Sequence, residues 1–266
     1  MVSTVFGGAQ GARVNSAAQG AYFEKAAQAA RVQNAIATAS TRTGVAFSYL
    51  YSQAKVESSL NPDARAGTSS ATGLYQFVEQ SWLGTVARHG AEHGLGAEAA
   101  AITRGADGRY RVADPAARAA ILDLRRSPEA SAAMAAEFAS DNRAVLEARL
   151  GHAVEPVDLY LAHFLGAAGA GKFLAAAEVD PGASGAALFP VAARANHAVF
   201  YDRAGEARSL SEIRQRFAAK FEPGVPSVEP PVVAPVRWAS VAPAREINPA
   251  NARLAYLMLA SLGVQA

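Results

Sequence analysis

Asp114-Pro115 and Ser127-Pro128 each set a helix-capping side chain directly before a proline, and that pairing constrains the fold more than any other feature of the chain. The capping oxygen accepts a backbone N–H of the opening turn, while proline at the first helical position loses nothing, because an N–H there would have no partner. The second pair opens an alanine-rich stretch that runs to Leu150-Gly151, where glycine supplies the stop. Pro156 opens a further helix, VDLYLAHFL, closed by Gly166. Ser209 and Glu212 form a capping box before a final core helix. Residues 1–25 read as a flexible leader, although Tyr22 to Thr38 has the makings of a first helix. Asp107-Gly108 marks a turn without a hairpin signature of consequence around it. The expected fold class is all-α, with the helical body over residues 26–221.

The remaining chain reads differently. Glu222 to Pro243 holds six of the thirteen prolines, so residues 222–246 are expected to be an extended linker. Asn248-Pro249 then starts a short C-terminal helix over 247–266, with Leu254, Leu257, Met258 and Leu259 apolar. That helix is suited to docking back on the body or to binding a partner. With 51% hydrophobic residues in 266, the chain can bury a full core. A net charge of +2 suits an anionic polymer, but no Lys/Arg block supports nucleic-acid binding. The absence of cysteine excludes disulfides, thiolate catalysis and cysteine zinc sites. His89 and His93 are four apart, but Gly90 and Gly94 favour a loop there, so no metal and no cofactor is expected. No run of 18 apolar residues predicts a membrane span, and the N-terminus as written lacks a secretory signal.

The chemistry concentrates in Glu57 to Phe77, ESSLNPDARAGTSSATGLYQF. Upstream, Phe47, Leu50, Tyr51 and Ala54 form one apolar stripe. At roughly 100° per residue, Glu57 falls about 20° from Leu50, on the buried side of the last helical turn before Asn61-Pro62. Apolar surroundings and the negative end of the helix dipole both work against a carboxylate, and a glutamic acid that keeps its proton is what general acid catalysis requires. The following loop is rich in small and hydroxyl residues. Ser69, Ser70 and Thr72 can cap the next helix, which is expected to open on Leu74-Tyr75-Gln76-Phe77 and to carry Leu74, Phe77, Val78, Trp82 and Val86 at core spacing. Gln76 lies off that stripe, consistent with facing a cleft. Between Asp63 and Glu79 there is no second acid, whereas ordinary glycosidases use two carboxyl groups.

This stretch resembles the first active-site motif of the lytic transglycosylases, the soluble-lytic-transglycosylase branch of the lysozyme-like superfamily, in an alphaproteobacterial-type variant. Glu57-Ser58 matches the start of the family's Glu-Ser…Gly-Leu-Met-Gln pattern and Gly73-Leu74-Tyr75-Gln76 its end, with a loop one residue longer than the commonest version. Thr68, Ser69 and Ser70 all compete for the family's loop serine. The resemblance extends from roughly Ile36 to Phe221. Leu159 to Leu174 occupies the place of the Ala-Tyr-Asn-Ala-Gly segment, with His163 at the tyrosine position, and Phe200 or Tyr201 stands for a late tyrosine near the acid.

The resemblance implies a lysozyme-like (goose-type) fold and cleavage of the β-1,4 bond between N-acetylmuramic acid and N-acetylglucosamine in peptidoglycan. Glu57 would be the catalytic residue, with Ser70, Tyr75, Gln76, His163 and Tyr201 as substrate contacts. The muramyl 6-hydroxyl would close on C1 to give a 1,6-anhydro end, so a lone acid suffices. The implied partners are glycan strands, with residues 222–266 available to secretion or flagellar machinery, and the implied location is the bacterial periplasm or envelope. A hydrolytic muramidase using the same acid with Asp63 or another carboxylate, and a non-catalytic wall-binding or assembly scaffold, are the competing readings.

Overall fold

A computed structural model describes residues 8–67 and 69–220. The expected linker over 222–246, the helix over 247–266 and the loop candidate Thr68 lie outside the described residues. The elements in chain order are α1 (Gly8–Thr43), α2 (Phe47–Ser58), α3 (Glu79–His89), α4 (Gly96–Ala101), β1 (Ile102–Arg104), β2 (Tyr110–Val112), α5 (Pro115–Asp123), α6 (Pro128–Leu150), α7 (Pro156–Val179), α8 (Gly185–Leu188), α9 (Pro190–Ala195), α10 (His197–Phe200) and α11 (Leu210–Ala218). Short 3₁₀ turns follow α3 (Gly90–His93) and α5 (Leu124–Arg126). The all-α expectation holds, with one small exception: β1 and β2 pair antiparallel, Ile102 opposite Val112, and Asp107-Gly108 lies in the turn between them.

The caps form as their chemistry dictates. Asp114 accepts from the Ala116 N–H and Ser127 from the Ala130 N–H, each with proline in the first turn. Ser209 and Glu212 complete the reciprocal box at the start of α11. Gly151, at φ 80°, ends α6 in the left-handed conformation that glycine adopts without a steric penalty. The helix expected over 22–38 is longer and runs back to Gly8, so residues 8–25 are helical rather than an unstructured leader. Alanine, the best helix former, is the commonest residue of that stretch, and no proline interrupts it.

α6 is the organising helix. Its alanines Ala130, Ala132, Ala135, Ala136 and Ala139 are buried, and α1, α3 and α7 pack against it. Small side chains let backbones approach closely, so an alanine-rich helix at the centre can be covered on several sides at once. Trp82 is a core residue, as its spacing predicts: it is fully buried and its indole N–H donates to the Ile121 carbonyl at 2.7 Å. α7 is long and apolar enough to cross a membrane by length and composition alone. It is broken at Gly166 (φ 71°, ψ 157°) and packs on α6 and α11.

Candidate active site

Glu57 is the penultimate residue of α2, one turn beyond Gln53 on the same face. The helix stops sooner than Asn61-Pro62 requires. Ser59 (φ 55°) and Leu60 (φ 63°) both adopt the left-handed conformation, and their N–H groups return to Lys55 and Ala54 carbonyls. Non-glycine residues pay roughly 1–2 kcal/mol each for that geometry. The strain sits immediately after the acid. Ser58 Oγ lies 2.8 Å from the Leu74 carbonyl and 3.0 Å from that of Ala54, so the two ends of the motif meet in space.

The Glu57 side chain is 4% exposed, and His163 Nε2 lies 3.3 Å from its Oε1. Gln53 Nε2 stands 3.3 Å from His163 Nδ1. With that amide donating, the ring proton belongs on Nε2, facing Glu57. The approach is misaligned for a hydrogen bond, and Nε2 has no hydrogen-bond partner; neither have Gln53 Oε1 and the Tyr75 hydroxyl, all three buried. Burial and the field of Glu57 push the phenols of Tyr49 and Tyr160 far above their usual range. Burial, then Tyr49, does the same to Tyr75. All three therefore keep their protons. Lys220 completes the surround, its ammonium 5.3 Å from the Tyr160 ring centre and 5.1 Å from that of Phe217. Burial lowers the Lys220 ammonium, and Glu57 partly opposes the shift.

The loop after the acid is held by the consecutive arginines of the 3₁₀ turn after α5. Arg125 donates to the carbonyls of Ser70 (2.7 Å) and Phe77 (3.0 Å), and burial brings its guanidinium down to about 10. Arg126 pairs with Asp63 at 3.1 Å and Asp123 at 3.2 Å. Gly73 is required twice over: its φ is 84°, and a Cβ there would lie 1.8 Å from the Arg125 carbonyl oxygen. A cleft of about 660 Å³ opens beside this region, lined by Lys25, Gln28 and Gln33 of α1 and by Ser59, Asn61 and Asp63; Glu57 is not part of its wall.

The expected second helix does not open at Leu74. Residues 71–78 form a tight turn bridged by Thr72 and Phe77, and α3 starts at Glu79 after an extended Val78. The reason is local. Gly73 and Gln76 (φ 48°) take left-handed geometry, and the Gln76 amide is spent on the Ala64 and Gly73 carbonyls at 3.2 and 2.8 Å. Gln76 thus braces the loop from inside. Ser70 is exposed and accepts the first N–H of α3, at 3.4 Å from Glu79 N. Tyr75 is fully buried beneath the site. Tyr201 stacks on His197 at 4.3 Å, and the tyrosines whose charge state responds to Glu57 are Tyr49 and Tyr160. Of the residues named from sequence, the structure brings His163 to Glu57.

Gln53, Tyr49, Tyr160, Lys220 and the two arginines were not legible as a group. Gln53 had a signal: it is a polar residue on the stripe shared by Leu50 and Glu57. So did Arg125-Arg126, since cations just before a helix start are disfavoured by its dipole and need another reason to be there. Lys220 had none, because only tertiary packing of α11 on α7 brings it to the acid. Elsewhere, His89, Glu92 and Glu137 place ligand-type atoms within 4.8 Å of one another; the sequence offered the His89–His93 spacing, set aside there for a loop, and gave no sign of Glu137. No protein-family model matches this chain.

Proposed function

We propose that the chain is a peptidoglycan lytic transglycosylase with a lysozyme-like helical fold, acting in the bacterial envelope. Protonated Glu57 gives its proton to the glycosidic oxygen as the bond between N-acetylmuramic acid and N-acetylglucosamine breaks through an oxocarbenium-like state. The carboxylate so formed takes the proton of the muramyl 6-hydroxyl, whose oxygen closes on C1. The products are a free N-acetylglucosamine 4-hydroxyl and a 1,6-anhydromuramyl end. Atoms balance without water.

The observation that carries this reading is a buried glutamate at a helix end, faced at 3.3 Å by a histidine nitrogen that lacks a hydrogen-bond partner. Buried polar atoms normally find partners, and those that do not mark places prepared for something else. The acid nearest in sequence is already ion-paired: Asp63 is held by Arg126, which weakens the case for a two-carboxylate hydrolase. Tyr75, Gln76 and Ser70 support the site from below and behind, so His163 is the strongest substrate contact among those the resemblance implies.

Mass spectrometry of purified peptidoglycan digested by the wild type and by Glu57→Gln tests the reading. Anhydromuramyl products that vanish in the variant are expected. Reducing muramyl ends would make the enzyme a hydrolase, and an inert wild type would leave a wall-binding scaffold.

A further inference from the structure

We propose that His89, Glu92 and Glu137 bind one divalent transition-metal ion, of which Zn²⁺ is the best match, and that the ion staples the end of α3 to α6. The inference is independent of the reaction at Glu57. His89 ends α3, Glu92 lies in the following 3₁₀ turn, and Glu137 projects from the middle of α6.

Both carboxylate oxygens of Asp141 lie 3.1 Å from His89 Nε2, so that nitrogen carries the ring's N–H. The lone pair on Nδ1 then faces Glu137 Oε2 at 3.6 Å and Glu92 Oε1 at 3.8 Å. Three electron-rich atoms surround one point. A proton on Nδ1 would answer the charge but not the distances, because hydrogen bonds of this kind close to about 2.7–3.2 Å. A metal ion answers both. Bonds of about 2.0–2.2 Å to nitrogen and carboxylate oxygen set tetrahedral ligand atoms roughly 3.3–3.6 Å apart, close to the two distances from His89, and all three ligand atoms lie within 4.8 Å of one another.

Both inner ligands are already oriented by outer partners, as metal ligands usually are. Asp141 fixes the His89 ring and is itself held by Arg88 at 2.9 Å. His93 Nε2 holds the other Glu137 oxygen at 2.6 Å, turning Oε2 toward His89. His89 and Glu137 are mostly buried, with side chains 19% and 14% exposed, whereas Glu92 is 65% exposed and free to close over an ion arriving from solvent. The donor set also sets the choice of metal. Calcium and magnesium prefer all-oxygen shells with six or more ligands, while one imidazole with two carboxylates suits zinc and its neighbours.

The test uses the full chain, stripped with EDTA and freed of chelator, titrated with Zn²⁺ by calorimetry and followed by thermal denaturation. One ion per chain is expected, with a Tm that rises on loading and no competition from millimolar Ca²⁺ or Mg²⁺. Glu92→Gln, an exposed substitution that leaves the fold alone, should weaken binding about 10-fold or more. His89→Gln, which retains a donor for Asp141, should weaken it further and remove the Tm rise. The proposal stands only if both variants weaken binding. A wild type that binds no Zn²⁺, or either variant binding as tightly as the wild type, overturns it.

Discussion

Glu57, buried, and Glu137, partly buried, both face histidines, and they have opposite local chemistry. Glu137 is met by His93 Nε2 at 2.6 Å in a well-formed hydrogen bond. Glu57 is met by His163 Nε2 at 3.3 Å, misaligned, with that nitrogen left unpartnered. Near Glu137, Asp141 is paired as well, with both Arg88 and His89. Around Glu57 the neighbours are the neutral phenols of Tyr49 and Tyr160, an amide with an orphaned oxygen, and a lysine whose charge is disfavoured by burial. A glutamate beside a histidine is therefore not a signature of catalysis. What separates the two places is whether the histidine nitrogen that meets the carboxylate has found a partner. The His93–Glu137 bond stabilises the fold, whereas the unpartnered His163 nitrogen stores free energy that a substrate can release.

The largest effect expected from this contrast is in rate. Glu57→Gln should lower glycan cleavage by about 10²–10⁴-fold, some 3–5 kcal/mol in the barrier, the range for loss of a general acid. Its Tm should stay within a few degrees of wild type, because an amide of the same shape replaces the carboxyl group in an otherwise unchanged setting. A sharp drop in Tm with activity retained would reverse the roles assigned to the two carboxylates.

Next in size is Gly73→Ala. The added methyl meets the Arg125 carbonyl while the backbone is held at positive φ. Overpacking and left-handed strain together should cost roughly 2–4 kcal/mol of stability, with activity lost through the displaced loop. Urea unfolding measures the first and a zymogram the second. An unchanged midpoint would mean that the loop adapts and that the arginine clamp does not position the acid.

How much of this was legible in the sequence follows from the range over which each feature is determined. The caps at Asp114, Ser127 and Ser209 are satisfied within three residues, and all of them form where the sequence places them. The burial of Glu57 follows from the helical period and needs one helix only. The stretch Leu74–Phe77 has apolar spacing that suits a helix, but left-handed backbone at Gly73 and Gln76 makes it a turn, which Arg125 braces from about fifty residues away. Lys220 and Tyr160 reach Glu57 only once α7 and α11 have packed. The helix of α1 was underestimated at its start because a polar, alanine-rich stretch has no apolar stripe to announce it.

Glu137→Gln should behave as the inverse of Glu57→Gln. It weakens a charge-assisted bond to a nearly buried histidine, so in the presence of chelator it should lose about 1–2 kcal/mol in denaturant unfolding and leave the turnover of glycan unchanged. A loss of activity larger than the loss of stability would show that the two regions are coupled through α6.

The smallest expected effect calibrates both. Arg31 and Glu129 join α1 to α6 through two short contacts, 2.6 and 2.7 Å, with the arginine side chain 55% exposed. Burial would raise the Glu129 carboxyl, but hydrogen bonds from Arg31, its own backbone N–H and Ser127 outweigh it and hold the group below its usual range. A carboxyl lowered on folding contributes stability that is fully present above its unfolded pKa, near 4.3, and is lost as pH falls through the lower folded value. Solvent screening keeps the pair to under about 1 kcal/mol. Arg31→Ala should therefore reduce Tm by a few degrees at most at pH 7, by the same amount down to about pH 5, and by progressively less below pH 4. A Tm difference that persists unchanged at pH 3 would mean that Arg31 acts through packing of its stem on α6, and not through charge. The pair would then give no electrostatic scale for Glu57 and Glu137.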